Sequence, residues 1–363
     1  MFRVAIDANP MMEVRGGVGF YTQNMADKLI EAKCHLILVA MRKSENLSRY
    51  ESMDNVEVVT GGAWIRSEAL WSQFVLPFLL YKSKAKYFIG LGQSVPLVCF
   101  RALSRILIVH DFAYIICPET MSFGRRNYLK FFSKAMIKSS KHIFCVSKGT
   151  SNKLLDYYNR KADNIIIPPL RYSIPSTESV ASTDLPDLPD LPDLPYYLCV
   201  GSFEPRKNID KVVTAFAQAN PEGEALLIVG GAGWNNAGIK DALTKAKEKL
   251  GGRLIVKNFV TNEDLYFYYK SAKATMLVSS YEGYGMPIAE SRNLGTPIVA
   301  VNTEEHIEAA EDNGLFLSLN NLESDLVDFF ISKGSDICSV NNCSYLDETT
   351  KMRRLLDVLN ARY

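Results

Sequence analysis

The stretch "YYLCVGSFEPRKNIDKVVTAF", residues 196–216, reads as a short buried strand, a loop with two adjacent cations, and a helix. The same order recurs on both sides of it. Downstream, "ALLIVGG" leads to "NNAGIKDALTKAKEKL", "RLIVKNFV" to "NEDLYFYYKSA", and "TMLVSS" to a helix opened by Pro287, with "TPIVAV" beyond. Upstream, "FRVAID", "HLILVAM", "VEVVT", "KYFIGL", "RILIVH" and "HIFCVS" read as strands, with helical spacing in "GVGFYTQNMADKLIEA" and over 122–141. Strands alternating with helices predict parallel βαβ units. Between the two runs, at 184–195, the Asp-Leu-Pro triplet is written four times. Proline at every third residue favours a stiff, extended chain without a packed core, so this segment reads as a linker. The expected architecture is α/β, two doubly wound Rossmann-like domains facing across a cleft. They cover 1–175 and 196–346, with a linker at 176–195 and a closing helix at about 347–363 that packs back on the first.

Composition narrows the classes. The chain has 363 residues, more than one hydrophobic core ordinarily serves, with 47% apolar and 22% charged residues. No stretch of 18 apolar residues predicts a membrane span, and "MFRVAIDANP" enters a strand without the pattern of a signal peptide. The seven cysteines form no Cys-x-x-Cys pair and mostly lie in apolar runs, which fits reduced thiols and a cytoplasmic location. The net charge of +1 conceals an asymmetry: residues 1–183 hold 24 Lys and Arg against 14 Asp and Glu, leaving 17 against 26 for the remainder. The front half is expected to meet an anionic partner, but nothing points to nucleic acid.

Four loops fall at strand ends, where open α/β sheets bind their ligands. In "RGGVGFYTQ", Gly16 and Gly17 precede a helix; they permit close backbone approach to an anion, or they simply make a turn. In "VHDF", His110 is one of four histidines and is either a satisfied structural group or a hydrogen-bonding partner for a polar ligand. In "GSFEPRKN", Arg206 and Lys207 beside a helix start form an anion site, with Asn208 placed to cap the helix. In "YEGYGMPIAES", Glu282 hangs in the loop, Pro287 suits the first helical turn, and Glu290 sits about a turn inside. Carboxylates accept hydrogen bonds from vicinal diols such as those of ribose and sugars. Cations, helix starts and carboxylates together suit a nucleoside diphosphate carrying a sugar. The chain holds no Asp-x-Asp, so a carboxylate-held metal is not expected. A dehydrogenase is disfavoured because no Gly-x-Gly-x-x-Gly follows the first strand. A sugar-nucleotide epimerase or a non-catalytic nucleotide-binding protein stays open.

These segments resemble the retaining glycosyltransferases of family four, which have the GT-B fold. "GSFEPRKNIDKVVTAF" is similar to the family's diphosphate-binding segment and "YEGYGMPIAESRNLGTPIV" to its Glu-x7-Glu motif; "GGVGFYT", "IVHDFAYIICPETMS" and "FCVSKGTSNKLLDYY" resemble its front domain. The resemblance implies that Arg206 and Lys207 bind the donor diphosphate and that Glu290 holds the ribose hydroxyls. It implies that Glu282 contacts the donor sugar, that Gly16 and Gly17 approach the diphosphate, and that His110 lies near the transferred sugar. The amides from Gly283 through Tyr284 and Gly285 to Met286 would complete the phosphate cradle. No cofactor or metal is implied beyond the nucleotide-sugar co-substrate. "LWSQFVLP" and "EPRKN" look most like bacterial O-antigen and polysaccharide mannosyltransferases, implying GDP-mannose as donor and a glycan or polyprenyl-diphosphate-linked acceptor. A UDP-sugar donor is the alternative. The family usually has proline where Ser279 or Ser280 stands, and "NTEEHIEAAEDNG" lacks its usual Pro-Glu.

The 122–141 helix carries Arg126, Lys130, Lys134, Lys138 and Lys141, spaced to share one face, with Leu129, Phe131, Phe132, Ala135, Met136 and Ile137 over much of the rest. It reads either as a solvated face opposite a buried one, or as a surface drawn to anionic lipid on the inner side of the plasma membrane.

Overall fold

The computed structural model describes residues 3–12, 17–121, 123–172, 194–231, 233, 236–258, 260–332, 334 and 348–360. The chain divides into two compact units. The first comprises 1–114, 123–169 and 346–363, and the second 115–122 and 170–345. The division falls at Pro169, ahead of the expected 175, and the last helix, Glu348–Asn360, belongs to the first unit. Most of the Asp-Leu-Pro repeat, residues 184–193, lies outside the described residues.

The first unit is built on seven parallel strands: β1 (Arg3–Asp7), β2 (His35–Ala40), β3 (Val56–Thr60), β4 (Tyr87–Gly90), β5 (Ser104–Val109), β6 (His142–Cys145) and β7 (Asn164–Ile165). Their order is β3-β2-β1-β4-β5-β6-β7. The second unit holds six parallel strands: β8 (Tyr196–Val200), β9 (Ala225–Val229), β10 (Leu254–Lys257), β11 (Ala274–Leu277), β12 (Ile298–Val301) and β13 (Leu315–Leu317). Their order is β10-β9-β8-β11-β12-β13.

Both β8 and β9 are buried at every residue, which is why they read as unbroken apolar runs: helices cover both faces. One face of the second sheet packs Tyr197, Phe216, Phe329 and Phe330, with the Phe216 and Phe330 rings 5.0 Å apart. The other packs Leu198 and Leu227 against Tyr266 and Tyr269. Each sheet reverses its winding once, between β1 and β4 and between β8 and β11. A crevice opens beyond the carboxyl ends of the strands at such a point, so the loops after these four strands are the ones placed to hold ligands.

Candidate functional site

In the second unit the loops after β8 and β11 lie against each other. Ser280 N donates to Arg206 O at 2.7 Å, and the Arg206 guanidinium donates to Tyr281 O at 2.8 Å. Asn208 occupies the capping position of the helix Ile209–Ala219 in a left-handed conformation, φ 51°, but caps nothing with its side chain. Its Nδ2 donates instead to Val278 O at 2.7 Å and Ser280 Oγ at 2.9 Å. The expected cap is thus a cross-tie between the two loops.

That tie sets three charged side chains in one cluster. The Glu282 carboxylate lies 2.9 Å from Arg206 NH1, pairs with Lys207 Nζ, and accepts from Ser279 Oγ at 2.7 Å. Arg206 also donates from Nε to Glu204 at 3.0 Å. The Glu282 and Lys207 side chains are each about a tenth exposed, at 11%. Burial alone would raise the Glu282 pKa, but the two cations and the Ser279 hydroxyl outweigh it and hold the carboxyl well below the usual range. Burial lowers the pKa of Lys207, with Arg206 acting the same way and Glu282 opposing both. Arg206, Lys207 and Glu282, expected to share one ligand, therefore stand together, and Glu282 faces the cations.

Gly285 opens the helix Met286–Asn293 at φ 104°, a conformation that side chains resist, and Pro287 sits in the first turn. No side chain caps this helix start. Behind it lies His306, which the sequence reading passed over. A Cβ on Gly285 would begin 3.4 Å from the His306 ring. His306 Nδ1 bonds Val301 O at 2.9 Å, and since a carbonyl only accepts, Nδ1 carries the proton. Burial lowers the His306 pKa, so the ring is neutral and its Nε2 is a buried lone pair without a partner among the described residues. The glycines after β9 are a second omission. A Cβ on Gly230 would collide with the Gly201 carbonyl, and one on Gly233 with that of Phe203, so this loop packs directly on the cation loop.

Glu290 departs from its expected role. Its side chain is 0% exposed, and its oxygens accept from Arg171 Nε at 2.7 Å, Arg171 NH2 at 2.6 Å and Tyr269 OH at 2.6 Å. The Arg171 amide adds a bond at 3.0 Å, and Tyr172 OH donates to Glu290 O at 3.2 Å. In this arrangement no carboxylate oxygen is open to a ribose diol. Glu290 instead anchors Arg171 and Tyr172, at the start of the second unit's long stretch 170–345. Burial opposes the Arg171 charge, but Glu290 wins and raises its pKa further.

In the first unit, Gly16 lies outside the described residues, while Gly17 begins the helix Gly17–Glu31 and a Cβ there would meet nothing within 4 Å among the described residues. His110 follows β5; its Nε2 bonds Leu91 O at 2.6 Å and its ring meets Tyr21 edge-on at 4.9 Å. Burial lowers its pKa, and the carbonyl partner places the proton on Nε2. Asp7, at the end of β1, went unremarked in the sequence. Its Oδ1 accepts from Asn9 N at 3.0 Å and Asn9 Nδ2 at 2.8 Å. Burial pushes its pKa up to about 7, against the Asn9 bonds and with help from the Glu68 charge.

The basic helix spans Phe123–Ser139, so Lys141 lies beyond its end. Lys130, Lys134 and Lys138 are exposed and Arg126 is half-buried. Phe131, Phe132 and Ala135 do not form an opposite buried side. Leu129, Ser133, Met136 and Ile137 fill that role, and both phenylalanines face solvent among the lysines.

Against known proteins, residues 185–327 match the family of glycosyl transferases group 1. This segment is a glycosyl transferases group 1 domain. The O-antigen chain mannosyltransferase B of Escherichia coli is 28% identical over 220 residues, 59% of this chain and 57% of that protein. The chain thus spans little more than half the length of that relative. Among solved structures, sucrose-phosphate synthase from Thermosynechococcus elongatus superposes with a TM-score of 0.71 at 18% identity, covering 99% of this chain and 96% of the other. Anabaena HepE in complex with UDP and glucose gives 0.67 at 15%, covering both chains in full. The two parallel-sheet units match the fold of GT-B glycosyltransferase structures. Among the described residues no group of three or more His, Cys, Asp or Glu is arranged to hold a metal, and no helix is long and apolar enough to cross a membrane.

Proposed function

We propose that the chain is a retaining, metal-independent glycosyltransferase that moves a hexose, mannose from GDP-mannose, onto a glycan or polyprenyl-diphosphate-linked acceptor in O-antigen or polysaccharide synthesis. The observation that carries this reading is the Arg206–Glu282–Lys207 cluster at the reversal point of the second sheet. Arg206 offers a planar fork and Lys207 a compact charge, a pair suited to the two phosphates of a nucleoside diphosphate. As the glycosidic bond of the donor breaks, negative charge grows on the leaving diphosphate, and these cations are already aimed where it grows. They take the part a divalent metal would otherwise play. The leaving phosphate accepts the proton of the acceptor hydroxyl on the same face of the sugar, which gives retention.

His110 is neutral, so its Nδ1 lone pair accepts from a sugar hydroxyl without adding charge near an oxocarbenium-like centre. Mannose is favoured by the mannosyltransferase names among the relatives, and the exposed lysines of Phe123–Ser139 suit an acceptor held at an anionic lipid surface on the cytoplasmic side. The complex of HepE with UDP and glucose keeps a UDP-sugar as the second reading. A thermal-shift panel of GDP, UDP, GDP-mannose and UDP-glucose separates them. A ligand at 100 times its Kd adds about 2.7 kcal/mol to the state that binds it. Stabilisation by GDP and GDP-mannose, unchanged by EDTA, is expected. Stabilisation by UDP-glucose alone moves the assignment to the second reading, and strict dependence of transfer on Mn²⁺ overturns the metal-free mechanism.

A further inference from the structure

The contact between Arg171 and Glu290 leaves one edge of a guanidinium unused by the fold. The Glu290 carboxylate is saturated. Its Oε1 accepts from the Arg171 amide at 3.0 Å and from Arg171 Nε at 2.7 Å, and its Oε2 from Arg171 NH2 and Tyr269 OH, both at 2.6 Å. The guanidinium is gripped along one edge only. Its remaining nitrogen, NH1, has no partner among the described residues, and it is not enclosed: the Arg171 side chain is 24% exposed above a Glu290 side chain at 0%. The backbone beneath is held as firmly. Tyr172 OH donates to Glu290 O at 3.2 Å and accepts from Asn293 Nδ2 at 2.8 Å, and its ring meets Tyr266 edge-on at 5.7 Å.

A buried ion pair of this kind adds little net stability over an apolar pair of the same shape. What it does supply is a planar donor fixed before any ligand arrives, because the paired edge sets the plane of the whole fork. Its position fits one part of a nucleotide. Glu290 lies just over one turn into the helix Met286–Asn293, about 6 Å along the axis from Met286. That helix starts beside the loop tied to Arg206, and one turn is also the reach from a nucleotide's first phosphate to its ribose hydroxyls. Glu290 balances the arginine from behind, so the outward edge belongs to a neutral pair. It suits a neutral acceptor oxygen, such as a hydroxyl, better than a further phosphate.

We propose that the outward edge of Arg171 holds the nucleotide's ribose by donating to a hydroxyl oxygen, and that Glu290 is the positioning residue behind it. The inference rests on the reading just given only in that the second unit takes a nucleoside diphosphate. It reverses the sense of the hydrogen bond that the family resemblance implies: the protein donates and the ribose oxygen accepts.

The test is calorimetric titration of the full chain with GDP and with 2′,3′-dideoxy-GDP, or with the corresponding uridine pair where UDP is the nucleotide bound. Wild type is expected to bind the ribonucleotide about tenfold more tightly, the worth of one hydrogen bond to a charged donor. Arg171→Lys keeps a charge opposite Glu290 but has one nitrogen in place of three, so the ratio should fall towards one while affinity for the dideoxynucleotide stays the same. A merely structural arginine would change both affinities together. Glu290→Gln still offers an oxygen to Arg171 Nε and should keep most of the ratio, although the fold is less stable. A wild-type ratio near one overturns the proposal, and so does a contact of Arg171 with the base alone, which leaves that same ratio. A ratio that Arg171→Lys preserves or raises overturns it too, since Glu290 would then be the group that meets the ribose. Failure of both GDP and UDP to bind wild type removes the nucleotide reading along with the proposal. Binding with a ratio insensitive to Arg171→Lys removes the proposal alone.

Discussion

Replacing Glu282 by glutamine tests the central cluster most directly, because it removes a charge without changing shape. In the folded protein the carboxylate sits 2.9 Å from the Arg206 guanidinium, bonds Lys207 and Ser279, and is 11% exposed. Glutamine leaves two nearly buried cations side by side with one counter-charge fewer. Breaking a buried pair in this way costs about 3–5 kcal/mol. For a domain of 150–250 residues each kcal/mol shifts Tm by roughly 2–4 °C, so the second unit should melt about 6–20 °C lower. Two further effects separate this account from a simple packing defect. Burial already lowers the Lys207 pKa, and losing Glu282 lowers it further. Between that lowered value and the ordinary lysine value of 10.5 the unfolded chain binds more protons than the folded one, so stability rises with pH in that window. The deficit of Glu282→Gln should therefore shrink as pH rises toward the ordinary lysine value of 10.5. Under the proposed function GDP supplies the missing negative charge, so its stabilising shift should be larger in the variant than in wild type, although transfer slows. Differential scanning fluorimetry with and without GDP reads both quantities. A variant that melts within 2 °C of wild type at pH 7 with an unchanged GDP shift would refute the reasoning.

Removing either cation of the cluster, Arg206→Ala or Lys207→Ala, should lower kcat by about 10²–10³-fold in a transfer assay, and near-wild-type turnover in either would remove the diphosphate assignment. Asp7→Asn keeps an oxygen for the Asn9 bonds but cannot ionise. The folded wild type loses stability as pH rises from the ordinary aspartate value of 3.8 to about 7, so the Tm advantage of the variant should grow over that interval and level off above it. An advantage that does not vary with pH would contradict the burial of that carboxylate. Arg171→Met alone strands the Glu290 charge and should cost about 3–5 kcal/mol, while Arg171→Met with Glu290→Met should recover much of it. Equal losses in single and double variants, measured by urea unfolding, would show that the pair is not the unit.

The legible part of this fold was the part written in apolar runs. Every long strand lies within such a run, and the loops after β8 and β11 announced themselves by charge next to glycine. The strands that went unread, β7 and β13, have two and three residues at sheet edges, too short to carry a period. What sequence could not supply was the direction of side chains brought together from afar. Arg171 and Glu290 are 119 positions apart, and no spacing rule connects them. Asp7 looked like the end of a strand because its distinctive feature is burial beside Glu68, which only the fold creates. Whether Phe131 and Phe132 lie on a buried side or an exposed one is open from spacing alone; Leu129, Met136 and Ile137 fill the buried side of their helix and leave both phenylalanines exposed. His306 carried one signal, its rarity as one of four histidines, but its position behind Gly285 depends on the helix Glu304–Ala310 folding over the loop.

The charge count of the cluster bears on how it would act. Arg206 and Lys207 are matched by Glu204 and Glu282, two positive charges against two negative. Two bare cations at this depth would repel each other and pay for lost hydration; with their carboxylates they form a neutral network that burial tolerates. The site is therefore not a standing well of positive potential. An arriving anion gains the cations only by taking the place Glu282 holds on them, which weakens binding of a lone phosphate. A diphosphate, with more charge and two groups to spread over a fork and a point charge, competes better for the same partners. The same exchange runs backwards at the end of a turnover, when Glu282 can return to Lys207 and Arg206 as the nucleotide departs. Under the proposed function, a carboxylate in that position would give selectivity for diphosphates and a route for their release, and neither would require it to move a proton.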